Sequence, residues 1–163
     1  MENKKQSKLK KYLQSIMFVM CSIMCVFGFS GVAKAELSEV AGLSVGGTMM
    51  VSEGKVQQSQ IKSANGGTAT YDVSTNTLIL SDYKTTTSAS CIQVYAMGNF
   101  IIQINGVCEL NISRNWFPIY MNVPYGGKDT LTINGDGTLN LKGGGITTCN
   151  TLYIKPESVK LTD

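Results

Sequence analysis

The feature that most constrains the fold is an internal repeat of short segments. The sequence of residues 102–112 (IQINGVCELNI) matches that of residues 131–141 (LTINGDGTLNL) without a gap, which aligns Ile104 with Ile133. In a second, interleaved series, Ile92, Ile119 and Ile146 follow one another at equal intervals. Internal repeats with periods of about 20–50 residues are typical of solenoids, in which each repeat stacks on the next. The repeat therefore predicts a chain that buries its core by stacking equivalent segments.

Within each copy the apolar residues alternate with polar ones, as they do at Ile102, Ile104, Leu110 and Ile112. That period of two is typical of β-strands with one buried face. Asn-Gly, Gly-Gly and Asp-Gly pairs, which favour turns, separate the segments. After residue 36 no stretch of ten residues has a clear helical period, apart from a short piece around 52–62. We therefore predict an all-β domain.

Two all-β architectures fit short strands separated by glycine turns. A sandwich or meander would pair residues 102–104 with residues 110–112 as a hairpin through Asn105-Gly106. A parallel β-helix would place each strand on its equivalent one repeat later, which explains why like residues recur at like positions. We favour the parallel β-helix, with about three to four coils. It predicts a turn ladder of Asn105 and Asn134, and two isoleucine ladders: Ile92, Ile119 and Ile146, and Ile104, Ile133 and Ile154.

The first 35 residues have the three parts of a secretory signal peptide. Five lysines lie within the first eleven residues, residues 16–29 are almost entirely apolar, and Ala33 and Ala35 supply the small residues of a cleavage site. The apolar run is shorter than the ~20 residues that span a bilayer. We expect a helical signal peptide at 1–35 and no stable membrane insertion after its removal. The secreted domain would then be 36–163, with residues 36–60 as an N-terminal cap.

Composition excludes several kinds of chemistry. The chain has no histidine, which excludes Ser-His-Asp and Cys-His catalysis and metal sites with histidine ligands. Residues 36–163 contain eight basic and ten acidic side chains, a net charge of −2, so nothing favours nucleic-acid binding. Their three cysteines, Cys91, Cys108 and Cys149, are an odd number. They are therefore either one disulfide and a free thiol, or buried reduced thiols.

Several segments together resemble a known group of exported proteins. The start of the match lies in LSVGGT (43–48), NGGTATYD (65–72) and NTLIL (76–80). The match continues in DTLTINGDGTLNL (129–141) and GGI (144–146). On these segments the chain is similar, over about residues 43–154, to the exported carbohydrate-binding-domain-containing proteins of Firmicutes. Tyr71-Asp72 and Asn76-Thr77-Leu78 are the most specific part of the resemblance.

This resemblance implies a right-handed parallel β-helix related in shape to pectate lyases. It also implies a binder of plant polysaccharides at the cell surface that carries calcium on the solenoid and has no lyase activity. Members of the family usually have more coils, whereas this sequence ends nine residues after Ile154. A final coil without a cap exposes apolar surface and strand edges, so three alternatives stay open: a shortened family member, self-association at that end, or marginal stability.

The side chains that fit these functions are acidic and aromatic. Catalysis is not expected, because the only arginine, Arg114, has no carboxylate cluster beside it and no facing pair of carboxylates is evident. Calcium takes six to eight oxygen ligands, and adjacent turns offer such oxygens. The predicted calcium ligands are Asp129, Asn134 and Asp136.

Stacking on sugar rings needs exposed aromatic side chains. If Ile119 and Met121 point inward, alternation along the strand points Tyr120 outward. The predicted carbohydrate-binding residues are Tyr120, Trp116, Tyr125 and Tyr153. The sequence thus predicts a secreted, non-catalytic β-solenoid that binds plant or cell-wall polysaccharide. The alternative is a structural or adhesive surface module with protein partners, or a truncated fragment of the family.

Overall fold

The computed structural model describes residues 39–114, 116–122, 129–148, 151–155 and 159–161. The predicted signal peptide (1–35), Tyr125 and Cys149 lie outside the described residues. Ala35–Asp163 forms one compact unit. Its described residues contain sixteen β-strands and no helix, so the all-β prediction is confirmed. No described helix could cross a membrane.

Short strands follow one another along the whole described chain. In chain order they are β1 (Val40–Val45), β2 (Thr48–Ser52), β3 (Lys55–Val56), β4 (Gln60–Lys62), β5 (Thr68–Asp72), β6 (Thr77–Ser81), β7 (Lys84–Thr87), β8 (Ile92–Ala96), β9 (Phe100–Asn105), β10 (Val107–Ile112), β11 (Ile119–Asn122), β12 (Thr130–Gly135), β13 (Thr138–Lys142), β14 (Ile146–Thr147), β15 (Thr151–Ile154) and β16 (Val159–Leu161). The piece around 52–62 that resembled a helix in its periodicity is also strand and turn.

The strands form three sheets. Sheet A has the order β14-β11-β8-β1-β2-β3, sheet B has the order β15-β12-β9-β6-β5-β4, and sheet C has the order β16-β13-β10-β7. From β6 onward the chain visits sheets B, C and A in turn and then returns to B. We call one passage through the three sheets a round. Each strand from β9 onward pairs in parallel with the strand that occupies the same sheet one round earlier. Strands β9 and β10 lie in different sheets, so the hairpin through Asn105-Gly106 is wrong.

The register of these parallel pairs confirms one predicted ladder and corrects the other. In sheet A, Ile119 pairs with Ile92 on one side and with Ile146 on the other, as predicted. In sheet B, Ile133 pairs with Ile154 but with Ile102 rather than Ile104. The pairing of β9 with β12 is therefore shifted by two residues from the alignment that the sequence match indicates.

The same shift removes the predicted asparagine ladder. Asn134 pairs with Gln103, and Asn105 pairs with Ser81. A shift of two residues keeps every side chain on the same face of its strand, so alternation of apolar and polar residues cannot detect it. The structural equivalent of Gly106 is Gly137, because each immediately precedes the next strand of sheet C.

The inward-facing side chains of the three sheets form one apolar core. In several strands buried and half-buried residues alternate, as in Thr68–Asp72, Phe100–Asn105 and Ile119–Asn122. The largest fully buried side chains are Phe100, Leu43, Met50, Leu78, Leu80, Ile92, Ile102, Ile104, Leu110, Ile119, Met121 and Leu131. At the N-terminal end, β1 pairs antiparallel with β8, and β5 pairs antiparallel with β6. Antiparallel strands thus cover the first round of sheets A and B.

Candidate functional site

The outward face of sheet A carries a group of polar and aromatic side chains. On β8 Ile92 and Val94 are fully buried, so the residues between and after them point outward. On β11 Ile119 and Met121 are likewise fully buried, which leaves Tyr120 on the outer face and half-buried. The structure therefore places Tyr120 outward, as its sequence context predicts.

Tyrosines and amides alternate across the β8–β11 pair. Tyr120 lies opposite Gln93, and Asn122 lies opposite Tyr95. Parallel strands are about 4.8 Å apart and rise about 3.3 Å per residue, so the Cα atoms of the two tyrosines lie on a diagonal of about 8 Å. We call Gln93, Tyr95, Tyr120 and Asn122 the aromatic face.

Tyr95 is 44% exposed and rests on a glycine of the neighbouring strand. In sheet A, Tyr95 lies opposite Gly42 of β1, and a Cβ at Gly42 would be 3.3 Å from Cδ2 of the tyrosine ring. A larger residue at position 42 would have to push the ring aside. The glycine therefore supports the ring while one side of it stays open to solvent.

Two further aromatic rings lie in the turn that leads into β11. Trp116 is 52% exposed, and its ring centroid is 5.9 Å from that of Phe117, with the ring planes 55° apart. Pro118 follows them and is buried, and its carbonyl accepts a hydrogen bond from the backbone N–H of Ile92. The turn is thus bonded to β8, and Trp116 precedes the strand that carries Tyr120.

The fourth aromatic residue of the prediction lies on another sheet. Tyr153 is 66% exposed on β15 of sheet B, where it pairs with Thr132. The structure does not bring Tyr153 together with Tyr120, which is in sheet A. Tyr125 lies outside the described residues.

Sequence reasoning missed Tyr95 as a site residue. A signal was present, because Ile92, Val94 and Ala96 form an alternating apolar series that turns Tyr95 outward. What the sequence could not supply was the β8–β11 register, which places Tyr95 beside Asn122 and diagonal to Tyr120.

The three predicted calcium ligands are not gathered at one point. Asp129 lies immediately before β12, Asn134 lies near the end of that strand, and Asp136 lies in the following turn. Five residues of extended strand span about 16 Å, so Asp129 is far from the other two. In the described part of the chain no three acidic or cysteine side chains cluster. Calcium binding stays a prediction.

Asp129 links two rounds of the chain. The residue is 4% exposed, and one of its carboxyl oxygens accepts a hydrogen bond from the backbone N–H of Gly98 at 2.5 Å. Its backbone carbonyl accepts a hydrogen bond from the N–H of Thr151 at 3.2 Å. Asp82 acts in the same way at another corner, where its side chain accepts a hydrogen bond from the N–H of Val107 at 2.9 Å. Both aspartates hold turns of neighbouring rounds together.

The most specific motif of the family resemblance builds a turn. The hydroxyl of the buried Tyr71 donates to the side-chain oxygen of Asn76 at 2.9 Å, and the amide of Asn76 donates to Glu39 at 2.9 Å. Asp72 accepts hydrogen bonds from the backbone N–H and the hydroxyl of Ser74 and from the hydroxyl of Thr75. Because these bonds favour the ionised carboxylate, they lower the pKa of Asp72.

The two described cysteines are buried free thiols. Desolvation by burial raises the pKa of both Cys91 and Cys108. The Cys91 thiol also donates a hydrogen bond to the carbonyl of Asn111 at 3.2 Å. Both thiols therefore behave as small core residues rather than as nucleophiles.

The fold defines an all-β protein with parallel sheets. No family model matches the chain. No curated protein matches it. No solved structure matches it.

Proposed function

We propose that the chain is a secreted, non-catalytic polysaccharide-binding protein built as a right-handed parallel β-helix. The order of the strands supports the β-helix, because successive strands enter three sheets in rotation and return to pair in parallel with the previous round. A right-handed course is the general rule for crossover connections between parallel strands. The resemblance to exported carbohydrate-binding-domain-containing proteins and the N-terminal signal-like segment support secretion and a place at the cell surface.

The observation that carries the binding proposal is the aromatic face of sheet A. Two tyrosines whose Cα atoms lie on a diagonal of about 8 Å offer the flat apolar surfaces of their rings to the C–H faces of sugar rings. Gln93 and Asn122 lie beside them with side-chain amides that can donate to and accept from sugar hydroxyls. Ligand-binding sites typically combine aromatic side chains with a small number of polar groups that fix the orientation of the ligand.

A non-catalytic role fits the available side chains. The sequence has no histidine, and its only arginine is Arg114. The only ion pair among the described residues joins Lys84 of β7 to Glu109 of β10, in sheet C and away from the aromatic face. We therefore propose that the aromatic face holds a glycan without cleaving it.

Binding to insoluble polysaccharides tests the proposal. Residues 36–163 would be incubated with cellulose, pectin, xylan and peptidoglycan, with calcium and then with a chelator, and the bound fraction measured. We expect selective binding to one of these glycans. Loss of that binding in the presence of the chelator would mean that the protein binds the glycan only in its calcium-bound form. A well-folded sample that binds none of them would overturn the proposal and favour the protein-binding alternative.

Three tyrosine variants identify the face that binds. Tyr95→Ala and Tyr120→Ala each remove a ring from the aromatic face, and we expect each to weaken binding by about tenfold, or ~1.4 kcal/mol. Tyr153→Ala is the matched control, since it removes an exposed ring from sheet B. If the Tyr153 variant alone lost affinity, the binding site would lie on sheet B, and its assignment to the aromatic face of sheet A would be wrong.

A further inference from the structure

Sheet C ends where sheets A and B continue. Sheet A extends past β8 by three antiparallel strands, and sheet B extends past β6 by two. At about 4.8 Å per strand these extensions project about 14 Å and about 10 Å beyond the first round. In the described chain β7 has a hydrogen-bonded neighbour on the β10 side only. Strand β7 therefore lies at the floor of a gap between two walls.

This gap is a cavity of about 390 Å³. The turn between β1 and β2 forms one wall, and β4 with the loop after it forms the other. We call it the β7 notch, defined by Gly46, Thr48, Lys62, Asn65, Lys84 and Thr86. Its volume lies within the range of about 300–1,000 Å³ that is typical of ligand pockets.

The floor of the notch presents backbone hydrogen-bonding groups. The carbonyl of Tyr83 accepts a hydrogen bond from the N–H of Glu109, and that of Thr87 accepts one from Ser113, both at 2.9 Å. In a parallel ladder alternate residues direct their backbone groups to the same side. Tyr83, Thr85 and Thr87 therefore face β10, whereas Lys84 and Thr86 turn their N–H and C=O groups toward the notch.

We propose that the β7 notch binds an extended peptide, which adds to sheet C as a further strand. Two N–H and two C=O groups spaced two residues apart match one edge of an extended peptide. The four residues of β7 span about 13 Å, the length of a short peptide strand. The projecting walls prevent the flat sheet edge of a second folded copy from reaching β7, so the occupant is a single extended segment.

Charge indicates which peptides fit best. Lys84 is already paired with Glu109, with its Nζ 2.7 Å from the carboxylate oxygen. Lys62 lies on the wall of the notch, is exposed, and forms no ion pair with any described residue. An acidic side chain on the peptide would complement it. This site is in sheet C, so its occupancy does not depend on glycan binding by sheet A.

Amide chemical shifts of labelled residues 36–163 test the proposal directly. The probe is a blocked pentapeptide of alternating threonine and glutamate, compared with the same peptide carrying N-methyl groups on the amides that would face β7. We expect shifts centred on the amides of Lys84 and Thr86, slower hydrogen exchange at both, and affinity at least about fivefold weaker for the N-methylated peptide. Equal binding of the two peptides, or no shifts at millimolar peptide, overturns the proposal.

Charge reversal separates a specific site from a merely exposed edge. Lys62→Glu should lower the affinity for the glutamate peptide by about fivefold and raise the affinity for a matching peptide with lysine in place of glutamate. Lys55→Glu is the control, because Lys55 is an exposed lysine on β3 that does not line the notch. Identical effects of the two variants would overturn the assignment of Lys62. Shifts at Lys84 and Thr86 with an oligosaccharide but not with peptide would make the notch a glycan site instead.

Discussion

At the scale of single residues, Gly135 lies at a close approach between the backbones of two rounds of the chain. A Cβ on Gly135 would lie 2.1 Å from the backbone carbonyl oxygen of Ile104, and its φ of +116° is one that residues with side chains rarely adopt. Backbone atoms cannot move aside as a flexible side chain would. Gly135 therefore holds a place that no other residue fills without distorting the β9–β12 pair.

The prediction is that Gly135→Ala lowers the free energy of unfolding by about 2–3 kcal/mol. Gly145→Ala is the control, because no atom lies within 4 Å of a Cβ at Gly145 and its φ is not in the positive range. It should change stability by less than about 0.5 kcal/mol. Urea unfolding of both variants measures the difference, and equal stabilities would contradict the close approach at Gly135.

Residue-scale reasoning from the sequence succeeded where alternation alone decides the answer. Tyr120 faces outward because Ile119 and Met121 on either side of it are apolar and buried. Reasoning from the sequence did not identify the role of Asp129, because the hydrogen bond to Gly98 joins residues that are distant in the sequence. Such contacts depend on register, which a pattern of alternating residues does not contain.

At the scale of elements, the strands could be predicted but one of their registers could not. The sequence match aligns Asn134 with Asn105, whereas in sheet B Asn134 pairs with Gln103. Both alignments bury the same faces, so burial does not choose between them. The choice depends on where each turn begins, and Gly137 takes the place of Gly106 before the strand of sheet C. In sheet A the equal spacing of the isoleucine series matches the observed register, and its ladder is confirmed.

The turn between β5 and β6 gives the element-scale prediction. Hydrogen bonds from Ser74 and Thr75 lower the pKa of Asp72 below its ordinary value of 3.8. A carboxyl group whose pKa is lower in the folded state contributes stability above the unfolded pKa and loses it as pH falls through the folded value. Acidification from neutral pH should therefore leave this contribution intact until about pH 4 and remove it below that.

Urea unfolding at neutral pH and near pH 2 checks the expected dependence. Asp72→Asn should be less stable than the unmodified protein at neutral pH, and the difference should shrink in acid. The control, measured with chelator present, is Asp136→Asn, which changes an exposed aspartate in the turn before β13. A stability difference for the Asp72 variant that is the same at both pH values would mean that its carboxylate charge does not stabilise the turn.

At the scale of the whole molecule, the two ends of the strand stack differ. Antiparallel strands pair with β8 and β6 at the N-terminal end. At the other end Leu152 is 37% exposed, although its partner Leu131 in the previous round is fully buried. In stacked folds each round is stabilised chiefly by its neighbours, so a round with fewer covered side chains opens more readily.

Hydrogen exchange should therefore be slowest in the central strands β9 and β10 and fastest in β14 and β15, with protection differing by at least about tenfold.

We further propose that copies associate through the β14–β15 end, as the exposed Leu152 favours. Protection of β15 should then increase with protein concentration, whereas that of β9 should not. Leu152→Lys should abolish the concentration dependence without changing the order of protection. Earlier opening of β1 and β5 than of β15 would contradict the assigned weak end, and protection of β15 that does not depend on concentration would exclude association there.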